Sequence, residues 1–166
     1  RARVLVSRHG TYRLDEATEW RLDTELFERA ATESADAEER GEVDRALVAG
    51  RRAWSAYGGE FLDGFDGDWP RGERQRLQTL RLGVLRRVGH LAFAADRAAL
   101  ALDAYRALLV EEPYEEAVHL AVMELYSRAG RRDRVRRQYV RLQDLLKDLR
   151  VEPSPEAQRR YHHLMG

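Results

Sequence analysis

The sequence contains no cysteine, which excludes disulfide scaffolds, haem attachment, thiolate metal sites and cysteine nucleophiles. Charge of one sign is missing too: 29 Lys+Arg balance 29 Asp+Glu, for a formal net charge of +0. That balance argues against a chain that coats nucleic acid by bulk electrostatics. No apolar run approaches the ~18 residues a membrane span needs, and no signal peptide opens the chain. A cytoplasmic location without membrane contact is therefore expected. Prolines number only 4 and glycines 12 in 166 residues, so helices have room to run. The first residue is Arg1 rather than Met, as expected of a piece of a longer protein. What is present is 43% hydrophobic and 35% charged residues. This suits one domain with a short appendage, too rich in Leu, Val and aromatics for disorder and burying roughly 70% of its unfolded surface.

The first residues read differently from the rest. Val4-Leu5-Val6 and Thr11-Tyr12-Arg13-Leu14 flank Ser7-Arg8-His9-Gly10, the pattern of a short β-hairpin. Such a hairpin is marginal alone and needs something to pack on. Residues 15–21 read as a linker. From Asp23 onward the period is helical. Asp23 is placed to cap a helix with Leu26, Phe27, Ala30 and Ala31 on one face, ending near Gly41. Val43, Leu47, Gly50 and Trp54 line the next, ended by Tyr57-Gly58-Gly59. Asp68 caps a long helix with Pro70 in its first turn. Its stripes of Leu77, Val84, Val88, Leu91 and Ala95, and of Leu85 and Ala92, predict a helix covered on two sides. Three more helices follow, lined by Ala101, Tyr105 and Leu108, by Val118, Val122, Leu125 and Ala129, and by Val135, Tyr139, Leu142, Leu146 and Leu149. Ser154-Pro155 opens a terminal helix with Ala157, Tyr161 and Leu164.

Laid on itself at a period of about 34 residues, the chain repeats. Val88 falls on Val122, Leu91 on Leu125, Ala95 on Ala129, Tyr105 on Tyr139 and Leu108 on Leu142. Gly89, Ala101, Tyr105 and Pro113 sit where a tetratricopeptide (TPR) unit places its small residue, second-helix Ala, aromatic and terminal Pro. Helices of one bundle could share the apolar period without being repeats. Agreement of turn residues with aromatics favours stacked helical hairpins, each unable to bury its faces alone. The expected fold is all-α: TPR-like stacked hairpins of about seven helices, with a degenerate first unit around Gly41 and a terminal cap.

Motifs of catalysis are sparse. His9, His90, His119, His162 and His163 form no HExxH arrangement and read as solvated or partly packed. Asp63-Gly-Phe-Asp66-Gly-Asp68 fails the ligand spacing of a calcium loop. No phosphate-binding Gly-rich loop or GxSxG elbow is present. No catalytic, cofactor or metal residue is assigned, and the chain is not expected to be an enzyme. Arg131, Arg132, Arg134, Arg136, Arg137 and Arg141 form a basic run. It reads either as a contact for phosphate or an acidic partner, or as a solvated face paired with carboxylates of neighbouring helices. The second reading is preferred. Glu111, Glu112, Glu115 and Glu116 flank Pro113 and are expected to serve the following helix through its dipole, with Glu115 and Glu116 in its first turn; an exposed contact for a partner is the alternative.

The order Val4-Leu-Val, Tyr12-Arg-Leu, Leu22-Asp23, Phe27-Glu28, Tyr57-Gly-Gly-Glu-Phe-Leu62 and Trp69 continues with Glu111-Glu-Pro-Tyr-Glu-Glu-Ala117, Gly130-Arg131 and Tyr139-Val-Arg-Leu142. It closes on Val151-Glu-Pro-Ser-Pro-Glu156. This resembles the bacterial transcriptional activator domain of SARP-type regulators over essentially the whole chain. The two most specific pieces are residues 112–117 and 151–156. The resemblance implies a transcription regulator in which a winged-helix DNA-binding module precedes a helical activator domain. Residues 1–15 would be the last hairpin of that winged helix, 16–22 a linker and 23–166 the activator domain. Arg8 and His9 would sit at the wing tip, where Arg8 could enter a narrow minor groove, although its charge also suits a strand edge that discourages aggregation. The single Gly10 departs from the usual Gly-rich tip. The implied partners are a protein (a second copy, another domain of the parent chain, or the transcription machinery) and DNA through the full-length protein. The first helix of each pair would line the concave face. A TPR adaptor unrelated to transcription is the alternative.

Overall fold

The computed structural model describes residues 22–64 and 68–166, apart from the Trp69 side chain, together with the backbone of residues 5–8 and 11–14. Seven α-helices follow one another: α1 (Asp23–Glu39), α2 (Val43–Ala56), α3 (Asp68–Ala94), α4 (Ala98–Glu111), α5 (Glu116–Arg128), α6 (Arg132–Asp148) and α7 (Pro155–Met165). Ahead of them the backbone of Leu5–Arg8 (β1) and Thr11–Leu14 (β2) pairs antiparallel.

α1 and α2, α3 and α4, and α5 and α6 form three antiparallel hairpins, and α7 lies on α5 and α6. Their turns share one hydrogen-bonding scheme. Glu42 N–H donates to Ala37 O at 2.9 Å, Arg97 N–H to Ala92 O at 2.8 Å and Arg131 N–H to Tyr126 O at 2.8 Å. Each six-to-one bond needs a left-handed residue just before its donor. Gly41, Asp96 and Gly130 supply it, with φ of 72°, 56° and 68°. The turns at Asp96 and Gly130 lie 34 residues apart, the period read from the side chains. A fourth such turn, Val151 N–H to Leu146 O at 3.0 Å with Arg150 at φ 57°, closes α6.

The core runs along the stack. Phe27, Leu47, Val84, Leu85, Val88, Leu108, Val122 and Leu125 are buried in one cluster reaching from α1 to α5. Met123, Val135 and Tyr139, and then Leu142, Leu146 and Ala157, continue it beneath α6 and α7. Val84, Leu85 and Val88 all lie inside, because α3 is covered by α2 on one side and α4 on another. α2 meets α3 at Gly50, where an added Cβ would stand 2.5 Å from Val88 Cγ2. The buried Ser34 hydroxyl donates to Ala46 O at 2.8 Å and ties α1 to α2.

Several local expectations are corrected. Asp23 is the first helical residue, not the cap; Leu22 holds the cap position, and Asp23 Oδ1 accepts from Thr24 N–H at 2.8 Å. Its negative charge still suits the positive end of α1. Leu26 is 47% exposed and Leu149 52% exposed, because the first faces away from α2 and the second lies past the last turn of α6. Ala95 and Ala129 are exposed for the same reason, beyond the ends of α3 and α5. By contrast Ser154 does cap α7, accepting from Ala157 N–H at 3.2 Å with Pro155 at the first helical position.

Candidate protein-interaction groove

The first helices of the second and third hairpins, together with α7, line a groove of about 460 Å³. Its floor is apolar: Phe93 from α3, Val118, Leu120 and Ala121 from α5, and the edge of Tyr105 from α4. Tyr105 reaches the floor because Gly89 has no side chain. A Cβ on Gly89 would lie 2.5 Å from Tyr105 Cε1 and 2.7 Å from Cδ1, so the ring lies directly on the α3 backbone. Burial pushes the Tyr105 phenol above its ordinary pKa, and the nearby Glu115 carboxylate adds to the rise. The hydroxyl therefore stays protonated at neutral pH.

Paired charges make the walls. Arg86 grips Glu115 through two parallel bonds, Nε to Oε1 at 3.2 Å and Nη2 to Oε2 at 2.9 Å, and this contact raises the Arg86 pKa against the opposing pull of desolvation. On the other side Glu124 accepts from Arg128 at 2.7 Å and also from Arg160 of α7. Burial acts to raise the Glu124 pKa, yet the two arginines outweigh it and hold the carboxyl below the ordinary range. Arg128 in turn lies 4.5 Å over the Phe93 ring. One chain of contacts, Phe93–Arg128–Glu124–Arg160, thus fixes α3, α5 and α7 relative to one another. His90 stands exposed on the rim. An apolar floor between rigid charge-paired walls suits the side chains of another protein. Among the described residues no three His, Asp or Glu side chains converge as a metal site.

Other residues singled out from sequence fall elsewhere. His9 lies outside the described residues, as does the Arg8 side chain. His162 and His163 are exposed on α7. His119 overturns the expectation of a solvated or partly packed ring: it is fully buried. Its Nε2 sits 2.9 Å from Pro113 O and its Nδ1 2.8 Å from Gln138 Nε2. The neutral tautomer with the proton on Nε2 satisfies both contacts. The same turn holds the acidic cluster, which acts through ties between helices. Glu111 pairs with Arg81 of α3 at 2.5 Å and Glu115 with Arg86, while Glu116 accepts from Ser154 N–H at 3.1 Å. Residues 112–117 and 151–156 therefore meet in space, through Glu116 and Ser154.

The basic run does not pair across helices as expected. Arg131 and Arg134 share Asp133, at 3.2 and 3.8 Å, beside them in the chain. Arg132 donates to Gly166 O at 3.3 Å. Among the described residues none of these arginines pairs with a carboxylate side chain of another helix. The groove itself was missed at the level of sequence; the spacing of Glu124 and Arg128, four apart on a helix, was the one legible sign of it.

A family model described as bacterial transcriptional activator domain matches residues 22–165. The chain is 32% identical over 164 residues to the regulatory protein DnrI of Streptomyces peucetius, covering 98% of this chain and 60% of that protein. It is 30% identical over 156 residues to the regulatory protein AfsR of Streptomyces coelicolor, covering 93% of this chain and 16% of that protein. Among solved structures, Mycobacterium tuberculosis EmbR in complex with a low affinity phosphopeptide superposes with a TM-score of 0.66 at 21% identity, over 98% of this chain and 43% of EmbR. A C-terminal TPR-containing domain of a Plasmodium falciparum FK506-binding protein superposes with a TM-score of 0.59 at 8% identity, over 86% of this chain and 87% of that one. These last two likenesses establish a TPR-like all-helical fold.

Proposed function

The chain belongs to the bacterial transcriptional activator domain family, homologous to SARP-type regulators, and on that premise we propose that its groove grips the transcription machinery on behalf of a DNA-bound regulator. Membership of this family favours the regulator reading over an unrelated TPR adaptor. It is a family of regulator domains, not an enzyme class. The observation that carries the proposal is the apolar floor of Phe93, Leu120 and Ala121, held open by the Arg86–Glu115 and Arg160–Glu124 pairs. A preformed groove loses little ordering entropy when a partner side chain enters.

In this proposal residues 1–15 are the last hairpin of a winged helix, 16–22 a linker and 23–166 the activator domain, working in the cytoplasm. Arg8 and His9 occupy the wing tip and touch DNA in the longer regulator. The test uses that longer regulator with Ala121→Arg, which fills the groove with a charged side chain. Promoter affinity should hold while transcription from the target promoter falls at least ten-fold; unchanged transcription would remove the groove from the contact. For the wing, Arg8→Ala should lower the salt slope of DNA binding by about one unit or less. An unaltered affinity and slope would remove Arg8 from the interface.

A further inference from the structure

We propose that the outer face of α6 is a second, sequence-independent contact for the phosphate backbone of duplex DNA. Arg136, Arg137 and Arg141 are all exposed there, and none forms an ion pair with a described residue. Between residues 131 and 143 the only acid is Asp133, set against six arginines. Elsewhere in the stack cations join one helix to another, as Arg76 does with Glu28, Arg87 with Glu38 and Arg97 with Asp44. Among the described residues Arg136, Arg137 and Arg141 of α6 form no such link.

A structural role does not account for them. Arg132 and Arg134 lie in the first turn of α6 (Arg132–Asp148), where the helix dipole is positive and further cations are unfavourable. The combined field instead favours an anion. Two observations select a phosphate backbone over an acidic protein segment. Protein interfaces are anchored by a desolvated apolar centre, and among these arginines only Val140 offers exposed apolar surface, at 44%. Phosphates need only cations at suitable intervals. Arg134, Arg137 and Arg141 share one side of the helix and span about 10 Å along its axis. That length matches about three phosphates of one strand, at ~3.4 Å of duplex axis each. The contact stands independently of the groove, on the opposite class of surface.

The experiment measures binding of this chain to a fluorescent 30-base-pair duplex of arbitrary sequence between 50 and 200 mM salt. Three phosphate contacts contribute a slope of about −2.7, or about a 40-fold loss of affinity over that range. The Arg134→Ala/Arg137→Ala/Arg141→Ala variant should lose that contribution, while the corresponding triple Lys variant should retain it. Arg141→Gln alone should lose about one unit of slope, so the inference stays testable if the triple Ala variant does not fold by circular dichroism. Wild-type affinity and slope in the triple Ala variant would overturn the proposal. So would a salt response abolished by Arg8→Ala alone, which would place all the binding at the wing. Tighter binding of a polyglutamate peptide than of the duplex at equal salt would overturn it in favour of an acidic protein partner.

Discussion

Two glycines of α3 make a paired test of how the stack closes. Gly83 and Gly89 lie in one helix, and replacing either by Ala removes the same backbone freedom, worth about 1 kcal/mol in favour of the folded state. Their surroundings differ. An added Cβ at Gly83 meets nothing within 4 Å, whereas at Gly89 it lies 2.5 Å from Tyr105 Cε1. Overpacking of this kind costs about 1–3 kcal/mol. Gly83→Ala should therefore stabilise by about 1 kcal/mol, and Gly89→Ala should fall below it by about 1–3 kcal/mol. For a chain of this length 1 kcal/mol moves Tm by roughly 2–4 °C. Urea denaturation at constant m-value, alongside thermal melts, reads both. Tyr105→Ala alone should cost roughly 3 kcal/mol or more, and in that background Gly89→Ala should recover the stabilising sign of Gly83→Ala. Equal shifts for the two glycine variants would refute the seating of Tyr105 on the α3 backbone.

Three further outcomes follow from the geometry. Burial, foremost, and nearby Arg141 hold the His119 pKa below its ordinary value, against the raising influence of Pro113 O, Gln138 and Glu116. Below about pH 6.5 the unfolded chain binds a proton that the native ring resists, so stability should be full above that pH and fall as pH drops through the window beneath it. A native His119 pKa at or above 6.5 by NMR titration would contradict this. Ser154→Ala removes the cap of α7 and should cost about 1 kcal/mol in chemical denaturation; a neutral result would mean that the Ala157 N–H bond contributes nothing. Gly130→Ala should destabilise by about 1 kcal/mol or more, because its φ of 68° is costly for an L side chain, while Asp96→Gly at the equivalent turn should be neutral or stabilising by calorimetry.

Much of the architecture was legible because it rests on local periodicity. Three of the five apolar pairs of the 34-residue repeat are buried to nearly equal depth: Val88 and Val122 are 0% and 1% exposed, Tyr105 and Tyr139 6% and 7%, and Leu108 and Leu142 both 0%. The cap at Ser154 and the left-handed Gly41 and Gly130 could be read because their geometry depends on a few adjacent residues. The groove was less accessible. Phe93 and Arg160 are 67 positions apart, and only the stacking of α7 on α5 brings Arg160 to Glu124. His119 was misjudged because its partners, Pro113 O and Gln138, lie on either side of α5 in sequence and close over the ring only when α6 folds back.

Composition and spacing by themselves determined that this chain forms helices, how many, where they turn and most of the stripe of each that goes inside, since burial follows a period of 3.6 residues and turns follow a handful of side chains. The tertiary structure alone decided which charges found one another between helices. Coulomb attraction depends on distance through space, and the stack brings Arg160 of α7 to Glu124 while turning the arginines of α6 outward, a distinction invisible in a count of 29 cations against 29 anions.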